Sequence, residues 1–225
     1  MTEATLFARL KAAVAEDWRA YTHHPFLQGL ADGSLAEAAF RHYQTQDYLF
    51  LGHFARAYGL AVYKAETLAE MRAAAAVLGG ILEVEMGLHV AFCADWGLDE
   101  AGMAATPEAP ATIAYTRYVL DSGMAGDALD LHAALAPCVI GYGEIGRRLM
   151  ADPATRRDGN PYLSWIEMYG GAEYQEVAAE AEAQLDRLGQ RRLTEARLPR
   201  LIEHFGRATR LEADFWRMGL DATAG

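Results

Sequence analysis

The sequence predicts an all-α protein, and three observations support this prediction. Apolar residues recur at intervals of three and four along most of the chain, which is the spacing of one face of an α-helix. No stretch alternates apolar and polar residues between hairpin turns, as a β-strand would. Proline and glycine, which end or bend helices, separate these stretches. We therefore expect a multi-helix bundle, and because no shift of composition divides residues 1–225, we expect a single helical domain.

The first quarter of the chain predicts one amphipathic stripe and a short helix. The stripe consists of apolar residues at helical spacing: Leu6, Leu10, Val14, Trp18 and Tyr21. Pro25 interrupts this pattern and is suited to open a short helix. Ser34 and Glu37 have the spacing of a capping box, which predicts a helix of about 30 residues that ends near Ala65.

The middle of the chain predicts a second long helix, at about residues 66–96. The pair Gly79-Gly80 is the expected position of a bend, and Gly97 is a suitable stop. Residues 99–110 contain one glycine and two prolines, and they predict a linker.

Four more helices are expected, at about residues 111–122, 127–150, 162–188 and 194–218. Pro137 lies inside the second of these, where it predicts a kink. Gly170-Gly171 predicts a break in the third.

Charge and composition exclude several classes of protein. Lys and Arg number 20 and Asp and Glu number 31, which gives a net charge of −11, and 52% of the residues are apolar. This balance is that of a folded chain rather than a disordered one, and its sign disfavours partners such as nucleic acid or anionic lipid. The N-terminus lacks the pattern of a targeting segment, and we expect no membrane-spanning run. Two cysteines make no disulfide framework, so a cytoplasmic location is expected.

Cys138 is the first candidate for chemistry. It follows Pro137, and in a helix it shares a face with Tyr142, four residues later. A nucleophilic cysteine needs a neighbour that takes its proton, because a free thiol has a pKa of about 8.5. The alternative is that Cys138 is a small buried hydrophobic residue.

Asp47 and Glu212 are acidic residues beside aromatic ones. Asp47 shares a helical face with Phe50 and would require hydrogen bonds or a cation if that face is buried. Glu212 shares a face with Phe215 and Trp216, and an apolar wall raises the pKa of a carboxyl group, as a general acid near neutral pH requires. In both cases a solvated surface carboxylate is the alternative.

A metal site is a further hypothesis. Glu85 and His89, four residues apart, and Glu144 resemble part of a helical di-iron ligand set. Those sites use two Glu-x-x-His motifs, which this sequence lacks, so a hydrogen bond between neighbouring turns is the simpler interpretation.

Four motifs in order resemble the thiaminase II (TenA) family, in its cysteine-containing branch. The motifs are Gln46-Asp47-Tyr48-Leu49, Pro137-Cys138 with Tyr142 and Glu144-Ile145, Trp165-Ile166-x-x-Tyr169-Gly-Gly, and Leu211-Glu212-x-x-Phe215-Trp216. The resemblance implies a heme-oxygenase-like bundle, a homotetramer, and no metal or organic cofactor. It also implies hydrolysis of 4-amino-5-aminomethyl-2-methylpyrimidine to the hydroxymethylpyrimidine, and many members cleave thiamine as well.

The resemblance also assigns roles to residues of this chain. The nucleophile falls on Cys138, the catalytic glutamate on Glu212 and the pyrimidine-binding aspartate on Asp47. Pocket tyrosines of the family fall on Tyr142, Tyr169 and Tyr115. Where many members have tyrosine, this chain has Phe50, which keeps a stacking face but lacks the hydroxyl group. The alternatives are a metal- or redox-dependent oxidase on the same bundle, like the pyrroloquinoline quinone biosynthesis C protein, and a non-catalytic pyrimidine-binding protein.

Overall fold

The computed structural model describes residues 4–94 and 96–222, and in these ranges it is helical and contains no strand. The all-α prediction is therefore confirmed. The helices are α1 (Leu6–Ala13), α2 (Ala15–Thr22), α3 (Pro25–Asp32), α4 (Glu37–Lys64), α5 (Leu68–Gly80), α6 (Met86–Ala94), α7 (Glu100–Ala104), α8 (Pro110–Ala125), α9 (Ala128–Ala151), α10 (Leu163–Gly170), α11 (Ala172–Arg192) and α12 (Leu198–Asp221). A π-helical segment, Ile81–Glu85, joins α5 to α6.

Local sequence signals explain several helix ends. Pro25 occupies the first turn of α3, and the ring of His24 accepts a hydrogen bond from the next free backbone N–H. The amphipathic stripe at the N-terminus is divided between α1 and α2, because Val14 has a non-helical backbone. The capping box predicted at Ser34 is wrong: α4 begins after Ala36, which provides no side-chain cap.

A capping box that the sequence analysis did not identify begins α5. Thr67 accepts a hydrogen bond from the backbone N–H of Glu70, whose carboxylate accepts one in return from the backbone of Thr67. Gly97 has the left-handed backbone of a helix stop, as expected. The predicted linker at 99–110 contains the short helix α7, which Asp99 caps.

The C-terminal half follows the predicted helices closely. Asp127 and Asp130 form the capping box of α9, which continues through Pro137. The predicted break at Gly170-Gly171 separates α10 from α11. The helix predicted at 111–122 runs on through Gly123 and ends at Ala125.

Helix α9 is the centre of the bundle. It packs against α8, α10, α11 and α12, while α4 packs against α5, α6 and α8. Gly146 makes one of these contacts possible, because a Cβ atom there would lie 2.3 Å from the backbone carbon of Tyr169. Cys93 is completely buried beside Tyr48 and Met103.

The stretch from α5 to α6 is more apolar than the sequence analysis allowed. Within the described ranges, Leu68–Ala94 is the one helical stretch long and apolar enough to cross a bilayer, with a mean hydropathy of 1.5. One such helix is weak evidence for a membrane span, since core helices of soluble proteins meet the same criterion. Only 17% of its apolar window is buried, and it exposes several large apolar side chains: Leu68, Met71, Leu82, Val84 and Leu88.

Candidate active site

Three helices that are distant in the sequence bring the predicted acid and thiol groups to one place. Asp47 comes from α4, Cys138 from α9 and Glu212 from α12. Both carboxyl groups are buried, and Cys138 is half-buried. Glu212 and Asp47 both interact electrostatically with the Cys138 thiol. The structure therefore assembles the three side chains that sequence reasoning selected separately.

Glu212 has the electrostatics of a buried acid. Tyr115, on α8, donates a hydrogen bond of 2.8 Å from its hydroxyl group to Glu212 Oε1. Burial raises the pKa of Glu212 to about 8, aided by the charge of Asp47 and opposed by the interactions with Tyr115 and Cys138. At neutral pH this carboxyl group is mainly protonated, as the apolar wall beside it predicted.

Cys138 is a thiol, not a thiolate, in the resting site. Burial raises its pKa well above the ordinary value, and the neighbouring charges of Glu212, Glu85 and Asp47 raise it further. An attack by this sulfur therefore requires a base at the moment of reaction. The carboxylate form of Glu212 is the candidate for that base, because Glu212 is one of the groups that raise the pKa of the thiol.

Asp47 is held on one oxygen and open on the other. Its Oδ2 atom accepts a 3.0 Å hydrogen bond from the hydroxyl group of Tyr43 and lies 2.7 Å from His89 Nε2. Within residues 4–94 and 96–222, no side chain or backbone group donates a hydrogen bond to Oδ1, although the residue is buried. A ligand with N–H donors can bind at Oδ1 without displacing any of these contacts.

The π-helical segment brings Glu85 and His89 into the same site. The hydroxyl group of Tyr169 donates a 3.1 Å hydrogen bond to Glu85 Oε1, and burial raises the pKa of Glu85. His89 contacts the backbone carbonyl of Glu85 rather than its carboxylate, with its Nδ1 atom 2.9 Å from that oxygen. Single π-turns inside α-helices are frequent at functional sites.

Glu144, the third residue of the hypothetical metal site, does not contact Glu85 or His89. Glu144 lies elsewhere on α9 and accepts hydrogen bonds from Lys11 Nζ, at 2.5 Å, and from Trp18 Nε1, at 3.0 Å. Among the residues described, no group of three or more His, Cys, Asp or Glu side chains has an arrangement that holds a metal ion.

Aromatic side chains enclose the site. Tyr142 packs on Tyr169 with ring centroids 4.9 Å apart, and its hydroxyl group lies 3.4 Å from that of Tyr43. The Phe50 ring packs on the Tyr115 ring, with centroids 4.9 Å apart. Phe50 therefore supports the tyrosine that donates a hydrogen bond to Glu212. These flat surfaces suit a flat heterocycle.

A groove of about 570 Å³ approaches the site from the side of α5 and α11. Its lining includes Tyr58, Glu85, Tyr169 and Tyr174 among mainly apolar residues. Three of these groups, Tyr58, Glu85 and Tyr174, interact electrostatically with Cys138, which does not itself line the groove. The three predicted catalytic side chains lie behind this wall rather than on it.

Sequence reasoning missed two hydrogen-bonding partners in the site. Tyr43 lies four residues before Asp47, and this spacing places it on the same helical face, so the signal was present. His89 was noted, but as a metal ligand or a partner of Glu85. Its contact with Asp47 joins helices 42 residues apart in sequence, which no local spacing indicates.

Comparisons with known proteins identify the family of this chain. The sequence matches the TENA/THI-4/PQQC family over residues 11–222. An uncharacterised protein of Haemophilus influenzae is 42% identical over 91% of this chain and 94% of its own length. The aminopyrimidine aminohydrolase of Halalkalibacterium halodurans is 36% identical over 89% of both chains.

Solved structures show the same architecture. A TenA family transcription regulator from Silicibacter sp. TM1040 superposes with a TM-score of 0.91 at 45% identity, over 96% of this chain and 97% of that one. A domain with a heme-oxygenase-like fold from Shewanella denitrificans superposes with a TM-score of 0.74 at 17% identity, covering 96% of this chain and 92% of that one. The expected heme-oxygenase-like bundle is therefore confirmed.

Proposed function

This chain belongs to the TENA/THI-4/PQQC family, and we propose that it is an aminopyrimidine aminohydrolase of the thiaminase II type. Its substrate would be 4-amino-5-aminomethyl-2-methylpyrimidine and its product the hydroxymethylpyrimidine. The observation that carries this proposal is the convergence of the Cys138 thiol, the protonated Glu212 carboxyl group and Asp47 in one buried site. The name of the Halalkalibacterium halodurans relative supports the same reaction class.

The first half of the reaction uses Glu212 twice. A pyrimidine ring accepts a nucleophile once a ring nitrogen is protonated, and Glu212 supplies that proton. The resulting carboxylate takes the proton of Cys138 as the sulfur adds to a ring carbon. The adduct then expels the exocyclic amine, which leaves as ammonia with the proton that Glu212 has just received.

The second half returns every group to its starting state. Water adds to the exocyclic methylene group and gives a proton to the Glu212 carboxylate. Loss of sulfur from the ring, with return of the ring N–H proton to the thiolate, regenerates Cys138 and the aromatic product. In sum, the aminomethylpyrimidine and water are converted into the hydroxymethylpyrimidine and ammonia, and no step requires a metal or an organic cofactor. Asp47 orients the ring through its amidine edge.

The decisive variant is Cys138→Ala. We expect it to abolish formation of the hydroxymethylpyrimidine while the protein remains folded, because covalent addition has no substitute in this site. The assay incubates the protein with the aminomethylpyrimidine and with thiamine separately and identifies products by mass. Cys93→Ala is the matched control, since this buried thiol lies in a separate cluster. Near-normal turnover by Cys138→Ala would refute the covalent mechanism.

The proposal also covers two macromolecular partners: DNA, which we do not expect, and further copies of this chain, which we do. The Silicibacter relative is named a transcription regulator, but the net charge of −11 opposes the phosphate contacts that dominate DNA affinity. We expect a homotetramer, and the exposed apolar side chains of Leu68–Ala94 are the surface that we expect a second copy to cover. Light scattering gives the mass in solution, and a monomer would contradict this expectation.

A further inference from the structure

A buried histidine, which the reaction described above does not use, holds the pyrimidine-binding aspartate. His89 is 1% exposed and contacts two groups through its two ring nitrogens. Nδ1 lies 2.9 Å from the backbone oxygen of Glu85, and Nε2 lies 2.7 Å from Asp47 Oδ2. Both distances are those of direct hydrogen bonds.

The partners decide where the protons of His89 are. A backbone carbonyl only accepts hydrogen bonds, so Nδ1 carries a proton. The short contact from Nε2 to Asp47 then also needs a proton between the two heavy atoms, because a neutral ring protonated on Nδ1 would face the carboxylate with a lone pair. The pair therefore holds one proton more than a neutral imidazole and a carboxylate would.

The surroundings decide which partner holds that proton. Asp47, Glu85 and Glu212 all lie in this site, and among the described residues no lysine or arginine forms a hydrogen bond or ion pair with any of them. The ring hydroxyl groups of Tyr43 and Tyr169 supply only neutral donors. Within the described ranges, His89 is thus the one basic side chain that contacts the side chain of any of these three acids, through its bond to Asp47.

Burial opposes a charge on His89, but its hydrogen bond to Asp47 and the charges of Asp47 and Glu85 outweigh burial and raise its pKa above the ordinary value. The π-helical segment contributes to this arrangement, because its last residue supplies the carbonyl that fixes the ring.

We propose that His89 is a positioning residue: as an imidazolium it holds Oδ2 of Asp47, so that Oδ1 is free to accept hydrogen bonds from the N–H groups of an aminopyrimidine. This inference rests on the proposed function for the identity of the ligand, but the charge state of His89 does not. The class of ligand that the arrangement favours is a planar heterocycle with adjacent N–H donors, which a ring-protonated aminopyrimidine presents.

The first test needs no substrate. In protein labelled with ¹⁵N-histidine, we expect one of the seven histidines to carry protons on both ring nitrogens at about pH 7 and to lose one only above its ordinary pKa. His89→Gln removes this signal and assigns it. Asp47→Asn should return it to that of a neutral ring, and it serves for assignment if the Gln variant does not fold. A neutral His89 ring in the wild-type protein at about pH 7 would overturn the proposal.

The second test uses turnover of the aminomethylpyrimidine. His89→Gln keeps a donor for Asp47 but removes the charge, so the acidic limb of the kcat/KM profile should move upward by about one pH unit. We expect KM to rise roughly tenfold, with a smaller effect on kcat. His42→Gln, a half-buried histidine on α4 outside the site, is the control. An unchanged pH profile in a folded His89→Gln protein would show that His89 is merely structural. Absence of turnover in the wild type would instead refute the proposed function and leave the labelling result to judge His89.

Discussion

Replacement of Glu212 by glutamine should remove a pH dependence of stability that this one carboxyl group creates. Its pKa is 4.5 in an ordinary environment and about 8 in the fold. Between these values the folded state keeps a proton that the unfolded state has lost, so the free energy of unfolding falls as the pH rises. Each pKa unit corresponds to about 1.4 kcal/mol, and the loss from pH 5 to pH 8 is therefore roughly 4 kcal/mol.

Glu212→Gln cannot lose this proton, and its amide oxygen can still accept the hydrogen bond from Tyr115. We expect its stability to decline less than that of the wild type by roughly 4 kcal/mol between pH 5 and pH 8. Urea unfolding followed by circular dichroism, at one protein concentration, measures the difference. Glu203→Gln, an exposed carboxyl group on the same helix, should leave the pH dependence of the wild type unchanged. Parallel pH dependences for Glu212→Gln and wild type would refute the raised pKa.

Three further predictions follow from the same contacts. Tyr115→Phe removes the hydrogen bond that lowers the pKa of Glu212, so the basic limb of the activity profile should move to higher pH and kcat should fall roughly tenfold. If the basic limb did not move, Tyr115 would not control the pKa of Glu212. Alkylation of Cys138 by iodoacetamide should be slow near pH 7 and should accelerate into the alkaline range, as mass spectrometry of the peptide would show, because burial and nearby acids raise the thiol pKa; fast labelling at pH 7 would contradict a resting thiol. Gly146→Ala places a Cβ atom against the backbone of Tyr169 and should cost about 3 kcal/mol in thermal or urea unfolding; wild-type stability would show that α9 and α10 separate easily.

The sequence predicted the helices well where the signal is local. Pro25, Gly97 and Gly170-Gly171 marked ends that the structure confirms, since each constrains the backbone of its own residue. The Ser34 capping box failed although its spacing was correct. The backbone N–H of Ser34 instead donates to the carboxylate of Asp32, two residues earlier, in a competing local hydrogen bond.

The candidate site was predictable by residue type but not by partner. Asp47, Cys138 and Glu212 each stood out because a reactive group in an apolar setting needs an explanation, and the structure brings them together. Their hydrogen bonds and electrostatic interactions, however, arise from contacts between helices, such as that of His89 with Asp47. A period of 3.6 residues describes one helix and carries no information on which helix will face it.

The two acids of the candidate site have different hydrogen-bond partners. Glu212 has only neutral partners, Tyr115 and the thiol, and burial therefore favours its protonated form. Asp47 instead has His89 as a hydrogen-bond partner at its Oδ2 atom. In the proposed reaction the protonated Glu212 donates to the ring while Asp47 accepts hydrogen bonds from its N–H groups, and substitution of His89 should weaken ligand binding before it weakens the fold.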